Sequence, residues 1–444
     1  MDSIGSMKAF TMNLSHEYRL LLASVQSGTP EEMANNLRDF SMSELNWDEV
    51  SALAFWQGVG ALLYLRLIES GYGSAVPDHV MEKLRGEYFR NVARNNYLYK
   101  ELNNILTAFQ KEPVDVILLK GLALVKTVYN DMGARHIGDI DLLVKSEDLS
   151  HAENIMSKLG YIHPEGKTRE WSIEKVHHLN YIHPEKNIPV EIHWHISHKS
   201  HQGQVFINSD EIIKQFWKRA RVVPMVDGEV KVLSPEDVLI HLSHHFIKHR
   251  FFSPEWGYQL YFISKGSFIQ LYDIARVLTQ YDKNIDLEGL GHNAKEHGLE
   301  NILYTVFYLL LEIMDFNQAL QSQIHDMIPG QFKGDIVKIM IKKIFIREDS
   351  FPAVNRFLAQ SFGENTLKSG IINILKVMFP KPEVISKRYS VPLISRKIYL
   401  YYILRPFDVI FRHRKNISEM NRIRQDALLY KWVYGKDHIS DKNK

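Results

Sequence analysis

Apolar residues recur at helical spacing through the first quarter of the chain. Leu20–Leu22 and Val25 form one apolar patch, and Trp47–Ile68 carries Val50, Leu53, Ala54, Trp56, Val59, Leu62, Leu63 and Leu65, a dense 3.6-residue pattern. Gly71 and Gly73 end that stretch. The period resumes over His79–Phe109 through Met81, Leu84, Tyr88, Val92, Leu98, Leu102, Ile105, Leu106 and Phe109, so residues 14–110 read as helices. The texture then changes. Val114–Leu119 is a run of β-branched and aliphatic residues broken only by Asp115, which predicts a buried strand. Leu122–Tyr129 reads as a helix and Asn130, Asp131 and Gly133 as a loop. Ile137–Val144 is a second apolar run, interrupted by Gly138, Asp139 and Asp141. A helix over Ser146–Leu159 ends at Gly160, and two strands, His178–His183 and Pro189–His195, are joined by the turn Pro184–Asn187. This order is that of a small α/β unit. After Val232 helical texture returns. Ser234-Pro235-Glu236-Asp237 is a helix start, with Ser as cap, Pro in the first turn and acids at the positive end. Helices are predicted over 236–249, 268–281, 300–315, 335–347 and 366–378.

These patterns divide the 444 residues into an N-terminal helical domain (1–110), an α/β domain (111–232), a helical domain completing the cleft (233–330) and a helical, basic C-terminal region (331–444). Apolar residues at 45% and charged residues at 24% are those of a globular protein and exclude wholesale disorder and a collagen-like chain. Neither a run long enough to span a bilayer nor a secretory leader is visible, so a cytoplasmic location is expected. The absence of cysteine excludes thiolate metal sites and cysteine nucleophiles. The net charge of +2 hides an asymmetry: Lys381–Lys444 holds 15 Lys/Arg against 6 Asp/Glu. A solvated helical face is the expectation there. The alternative is a peripheral membrane or protein contact through this basic end, and nucleic acid is not an expected partner.

The chemistry centres on Gly138-Asp139-Ile140-Asp141-Leu142-Leu143-Val144. Residues two apart in a strand share a face, so Asp139 and Asp141 present paired carboxylates while Ile140 and Leu142 point to the core. Such a pair is stable around a cation, and hard oxygen ligands suit Mg²⁺, with Mn²⁺ as the alternative. Glu191, in Val190-Glu191-Ile192-His193-Trp194, is a lone acid in an alternating strand and the candidate third carboxylate. Three carboxylates around divalent cations suit in-line phosphoryl or nucleotidyl transfer. Leu118-Leu119-Lys120-Gly121 lies at a strand-to-helix junction, where free N–H groups attract phosphate and Gly121 permits close approach. Lys120 and Arg135 are candidate phosphate contacts. His193 and His195 share the face of Glu191. His241, His245 and His249 fall on one helix face, where pocket lining and packing are weighed above metal binding.

Three segments, Leu119–Leu124, Tyr129–Arg135 and Asp139–Val144, together resemble an uncharacterised nucleotidyltransferase family of the DNA polymerase β-like superfamily. The similarity continues through Leu159-Gly160-Tyr161, Val190–Trp194, Leu233–Asp237 and the helix Leu239–His249, and covers roughly 45–280. The resemblance implies an α+β fold: a small mixed-sheet nucleotidyltransferase domain between mostly helical domains. It implies Asp139, Asp141 and Glu191 as catalytic metal-binding residues, and Lys120, Gly121 and Arg135 as nucleotide-phosphate contacts. The reaction expected is transfer of a nucleoside monophosphate, foremost AMP from ATP, to a hydroxyl or phosphate on a small molecule or peptide, with loss of pyrophosphate. One feature departs from the wider superfamily, which has Gly-Ser or Gly-Gly at the helix start; here it is Lys120-Gly121. A catalytically degenerate nucleotide-binding or scaffold module is the competing expectation.

Overall fold

The computed structural model describes residues 14–26, 29–163, 177–196, 209–225, 228–252, 267–330 and 334–345, then 375, 378–389, 391–393, 395–412, 425, 428–429 and 432. The aromatic residues Tyr258, Tyr261 and Phe262, which their sequence suits to a core or an acceptor wall, and nearly all of the helix expected over 366–378 lie outside these residues. The chain divides into two compact units, residues 1–250 with 262–332, and 251–261 with 333–444.

The first unit opens with five helices: α1 (His16–Ser24), α2 (Pro30–Arg38), α3 (Trp47–Trp56), α4 (Gly60–Glu69) and α5 (Asp78–Gln110). Their starts are capped by side chains. Ser15 accepts from Tyr18 N, Thr29 and Glu32 form a reciprocal capping box with Pro30 in the first turn, and Asn46 accepts from Glu49 N. The single helix expected over Trp47–Ile68 is two, because Gly58 takes a φ of 72° between α3 and α4. Helix α5 runs 33 residues, about 50 Å, and buries Leu98, Leu102, Ile105, Leu106 and Phe109 against the sheet core.

The sheet is mixed and six-stranded, in the order β3-β4-β2-β1-β6-β5. Its strands are β1 (Ile117–Leu118), β2 (Ile140–Leu143), β3 (His178–His183), β4 (Ile188–His193), β5 (Arg221–Met225) and β6 (Gly228–Val232). β1 runs antiparallel to β2 and parallel to β6; β2 runs parallel to β4; β3–β4 and β5–β6 are antiparallel hairpins. The structure is therefore the α+β arrangement expected, with a strand pair at one edge that the sequence reading passed over. Helix α6 (Lys120–Leu124) follows β1 and widens into a π-helical turn, Val125–Tyr129, before Asn130 ends it at φ 55°. Helix α7 (Leu149–Lys158) crosses between β2 and β3, and α8 (Ser209–Arg219) lies between β4 and β5. Alternation places Ile140, Leu142, Val190 and Ile192 in one apolar core with α5 and α7 residues.

Helix α9 (Pro235–Ile247) is capped by Ser234, which accepts from Asp237 N, as its sequence predicts. It is followed by α10 (Ser267–Gln280), α11 (Leu287–Glu296), α12 (Glu300–Ile313) and α13 (Gln318–Met327). The second unit contains α14 (Gly334–Phe345), α15 (Pro382–Tyr389) and α16 (Lys397–Arg412). Ile385, Val391 and Ile398 form a small core there, and Tyr389 stacks on Tyr401 with ring centroids 4.4 Å apart. Ile403 and Phe407 on α16 are 66% and 68% exposed, while Tyr401 and Tyr402 pack against that small core. Among the described residues no helix is long and apolar enough to cross a membrane.

Candidate active site

The register of the parallel pair β2–β4 builds the site. Asp141 stands directly opposite Glu191, and Leu143 opposite His193. Because side chains alternate, Glu191 and His193 emerge on the same face as Asp141. The His193 Nε2 atom lies 3.0 Å from Asp141 Oδ1 and 3.1 Å from Glu191 Oε2. Lys120, at the start of α6, extends its ammonium to 2.6 Å from Asp141 Oδ1 and 3.5 Å from Glu191 Oε2. His178, opposite His193 on β3, approaches Glu191 Oε1 at 3.8 Å. Asp141 and His193 are each only 3% exposed, so these contacts act with little solvent screening.

Asp139 precedes β2 and is held by a scaffold on α5. Buried Asn95 donates to Met132 O at 2.7 Å and to Arg135 O at 2.8 Å, Asn91 donates to Gly133 O at 3.0 Å, and Arg94 donates to Gly138 O at 2.6 Å. Asp131 accepts from the Gly133 and Ala134 N–H groups at 2.7 and 2.8 Å. These bonds satisfy the backbone of the 131–138 loop and fix the approach of Asp139 to the strand.

The electrostatics follow from this crowding. Burial, then the neighbouring charges of Asp141 and Glu191, push the Asp139 carboxyl up to about 7. Burial would also raise Glu191, but Lys120 and the hydrogen bond with His193 hold it well below the usual carboxylate range. Burial opposes charge on Lys120, yet Asp141, Glu191 and Asp139 outweigh it and hold the ammonium above its ordinary value. An unfolded aspartate titrates near 3.9, so the folded protein keeps the Asp139 proton at pH values where the unfolded chain has lost it. The contribution of Asp139 to stability therefore declines as the pH rises from about 4 to about 7. Urea unfolding of chelator-treated protein should show wild type losing stability across that window relative to Asp139→Asn. Parallel pH curves would contradict this.

Lys120 takes a φ of 48°, a left-handed conformation that costs an ordinary side chain about 1–2 kcal/mol; its buried ion pairs hold it there. Gly121 follows in the first turn of α6. A Cβ at this position would stand 3.0 Å from Arg135 Nη1 and 3.2 Å from Ile137 Cγ2. The glycine thus admits the loop that leads to Asp139. Both neighbours are fixed, so Gly121→Ala should cost about 1–3 kcal/mol of stability in urea titrations.

Arg135, the expected phosphate contact, is paired with a carboxylate of the helical layer. Its Nε donates to both Asp273 oxygens at 2.8 and 2.9 Å and its Nη2 to Oδ2 at 2.8 Å, while Tyr129 OH donates to Asp273 Oδ1 at 2.6 Å. Asp273, from α10, is 1% exposed. This fork-on-carboxylate pair ties the loop to the helical layer. The sequence reading missed Asp273, Asn91 and Asn95; a lone acid in Leu271-Tyr272-Asp273-Ile274 was the visible signal for the first.

His241 and His245 of α9 and His249 in the turn that follows it lie beside the cluster. Burial first, then nearby positive charge, pushes His241 and His245 well down and His249 to about 4, so these rings are neutral near pH 7. Neither ring nitrogen of buried His241 has a hydrogen-bond partner among the described residues. Lys248 Nζ lies 3.2 Å from His177 Nε2, and burial, then Lys120, brings it down to about 8. His195 pairs with Asp210 at 3.3 Å and stands apart from the carboxylates. Among the described residues two groups place potential metal-ligand atoms within 4.8 Å of one another: Asp141, Glu191 and His193, and His177, His178 and His193. The α9 histidines form no such group. The first set supplies two carboxylate oxygens and an imidazole nitrogen, a donor set that fits a divalent cation.

No curated protein and no solved structure is similar enough to match the chain. A family model described as "Uncharacterised nucleotidyltransferase" matches residues 43–315, a span that begins before α3, contains the whole sheet and ends after α12. The carboxylates, Lys120 and the loop that carries Asp139 all fall inside it, and by that match over more than half its length the chain belongs to the uncharacterised nucleotidyltransferase family and is a nucleotidyltransferase.

Proposed function

We propose that the Asp139–Asp141–Glu191 cluster transfers a nucleoside monophosphate, AMP from ATP in the first instance, to a hydroxyl or phosphate group of a small-molecule or peptide acceptor. The acceptor oxygen bonds to the α-phosphorus, the bond from that phosphorus to the β-phosphate's bridging oxygen breaks, and pyrophosphate leaves. The observation that carries this reading is the register pairing of Asp141 with Glu191 on parallel strands, with Asp139 electrostatically joined to both. Asp141 and Glu191 would hold Mg²⁺ or Mn²⁺ with Asp139 beside them. The ion supplies neutralisation of the charge carried by the triphosphate in the transition state.

The chain's own groups divide the remaining work. Glu191 would complete the site and is the candidate to take the acceptor's proton. Lys120, Gly121 and Arg135 would contact the nucleotide phosphates, with Lys248, beside His177, as a further cation. Preorganised charge of this kind is the main catalytic contribution expected in phosphoryl chemistry. Exposed Ile403 and Phe407 on α16, in the basic C-terminal region, are candidates for a protein or membrane-surface contact.

One observation favours a second reading, a degenerate nucleotide-binding module: the Lys120 ammonium already occupies the Asp141 oxygen that an ion would use. Calorimetry with ATP and a divalent cation, followed by an assay for pyrophosphate release over a panel of acceptors, separates the two. Binding with release supports transfer; binding without release across the panel supports the module.

A further inference from the structure

We infer that His193 makes the ion site a mixed carboxylate–imidazole site, one that binds a transition-metal dication in preference to Mg²⁺. The inference rests on the proposed ion-dependent site and specifies which ions it takes. His193 is 3% exposed and its Nε2 points between the two acids, 3.0 Å from Asp141 Oδ1 and 3.1 Å from Glu191 Oε2. Ligands sharing an edge of an octahedron at about 2.1 Å from the ion stand roughly 3.0 Å apart, so the spacing of these atoms suits a shared ion, which would displace the Lys120 ammonium now 2.6 Å from the same Asp141 oxygen. Position on the sheet fixes the ring: it is two residues beyond Glu191 on β4 and opposite His178 on β3, so it reaches the site by strand alternation.

Chemistry then decides which ion this set prefers. Mg²⁺ is a hard ion that favours oxygen and retains its waters, and an imidazole donor gains it little. First-row transition dications accept imidazole readily, with affinity rising from Mn²⁺ through Co²⁺. More imidazole stands close by. His178 Nε2 lies 3.8 Å from Glu191 Oε1, and His177, His178 and His193 bring ligand atoms within 4.8 Å of one another. His178 and His177 thus place further imidazole beside His193, a donor type that favours Mn²⁺ or Co²⁺ over Mg²⁺.

The test uses the full chain, stripped of metal with a chelator and titrated with Mn²⁺ while free Mn²⁺ is followed by electron paramagnetic resonance. Mg²⁺ should need at least a tenfold higher concentration than Mn²⁺ for equal occupancy. Electron spin echo modulation of the bound Mn²⁺ should show a coupled nitrogen. That signal should vanish in His193→Gln, with the Mn²⁺/Mg²⁺ preference falling below threefold, and persist in His178→Gln. Circular dichroism melts report whether the variants fold, and the wild-type nitrogen coupling is decisive without them. Equal affinity for the two ions, no nitrogen coupling in wild type, or coupling unchanged in folded His193→Gln overturns the inference. Nitrogen-coupled Mn²⁺ in a protein that releases no pyrophosphate would support the inference while removing the transfer reading. Transfer supported by Mg²⁺ with no nitrogen coupling would do the reverse.

Discussion

Replacing Asp141 with Asn should abolish nucleotidyl transfer while leaving the protein folded. Asp141 faces Glu191 across the parallel pair and is the acid nearest to both Lys120 and His193. The amide keeps the shape and one acceptor oxygen but removes the charge that would hold a cation against the phosphates. Loss of one strong electrostatic contribution of this type costs about 4 kcal/mol of barrier, or roughly a thousandfold in rate. The fold should lose much less. Lys120 retains Glu191 at 3.5 Å, so its buried ammonium is not left without a carboxylate, and the cost should be about 1–2 kcal/mol. Initial rates of pyrophosphate release and a urea titration on the same preparation check both halves. An Asp141→Asn protein with a rate within tenfold of wild type would show that this carboxylate does not take part.

The largest effect on stability should come from Asp273, far from Asp141 in sequence. Asp273→Ala removes the partner of three donations from Arg135 and of one from the Tyr129 hydroxyl, and leaves the buried Arg135 guanidinium without its carboxylate. Breaking one side of a buried pair costs about 3–5 kcal/mol, because the remaining charge is stranded. The double variant Arg135→Met/Asp273→Leu should recover most of that loss, since it strands no charge. Denaturant midpoints for the two proteins test the point: equal midpoints would show that the pair contributes shape alone. The single variant should also slow transfer, because Arg135 anchors the loop that ends at Asp139. Restored stability with a still-reduced rate in the double variant would separate positioning from folding.

The parts of the site that lie on strands were legible in the sequence because alternation is a short-range rule. Asp139, Asp141 and Glu191 announce themselves as acids inside apolar runs, and the two-residue period predicts that Asp139 and Asp141 share a face. The register that sets Asp141 against Glu191 is a long-range property of the folded sheet, which no local pattern encodes. Lys120 was legible as a charge at a strand-to-helix junction, but its left-handed backbone and its ion pair with Asp141 were not. For Arg135 the sequence leaves its partner open: one residue type serves a phosphate and a buried carboxylate equally well, and only the position of α10 reveals Asp273 beside it. The strand pair β5–β6 escaped notice because β5 contains Pro224 and β6 alternates with Glu229 and Lys231, which weakens the apolar pattern at a sheet edge. The helical layer was more legible, since caps such as Ser234 and the 3.6-residue period are local. Its division at Gly58 depended on a single positive φ.

The most direct measurement is incubation of the wild-type protein with each α-labelled nucleoside triphosphate and a cell extract, with and without a divalent-cation chelator. Three carboxylates gathered around Lys120 predict a discrete labelled product, formed with unlabelled pyrophosphate and lost when the chelator is present. Label that never leaves the nucleotide pool for any of the four bases, or transfer indifferent to chelation, would contradict a cation-dependent nucleotidyltransferase site at Asp139, Asp141 and Glu191.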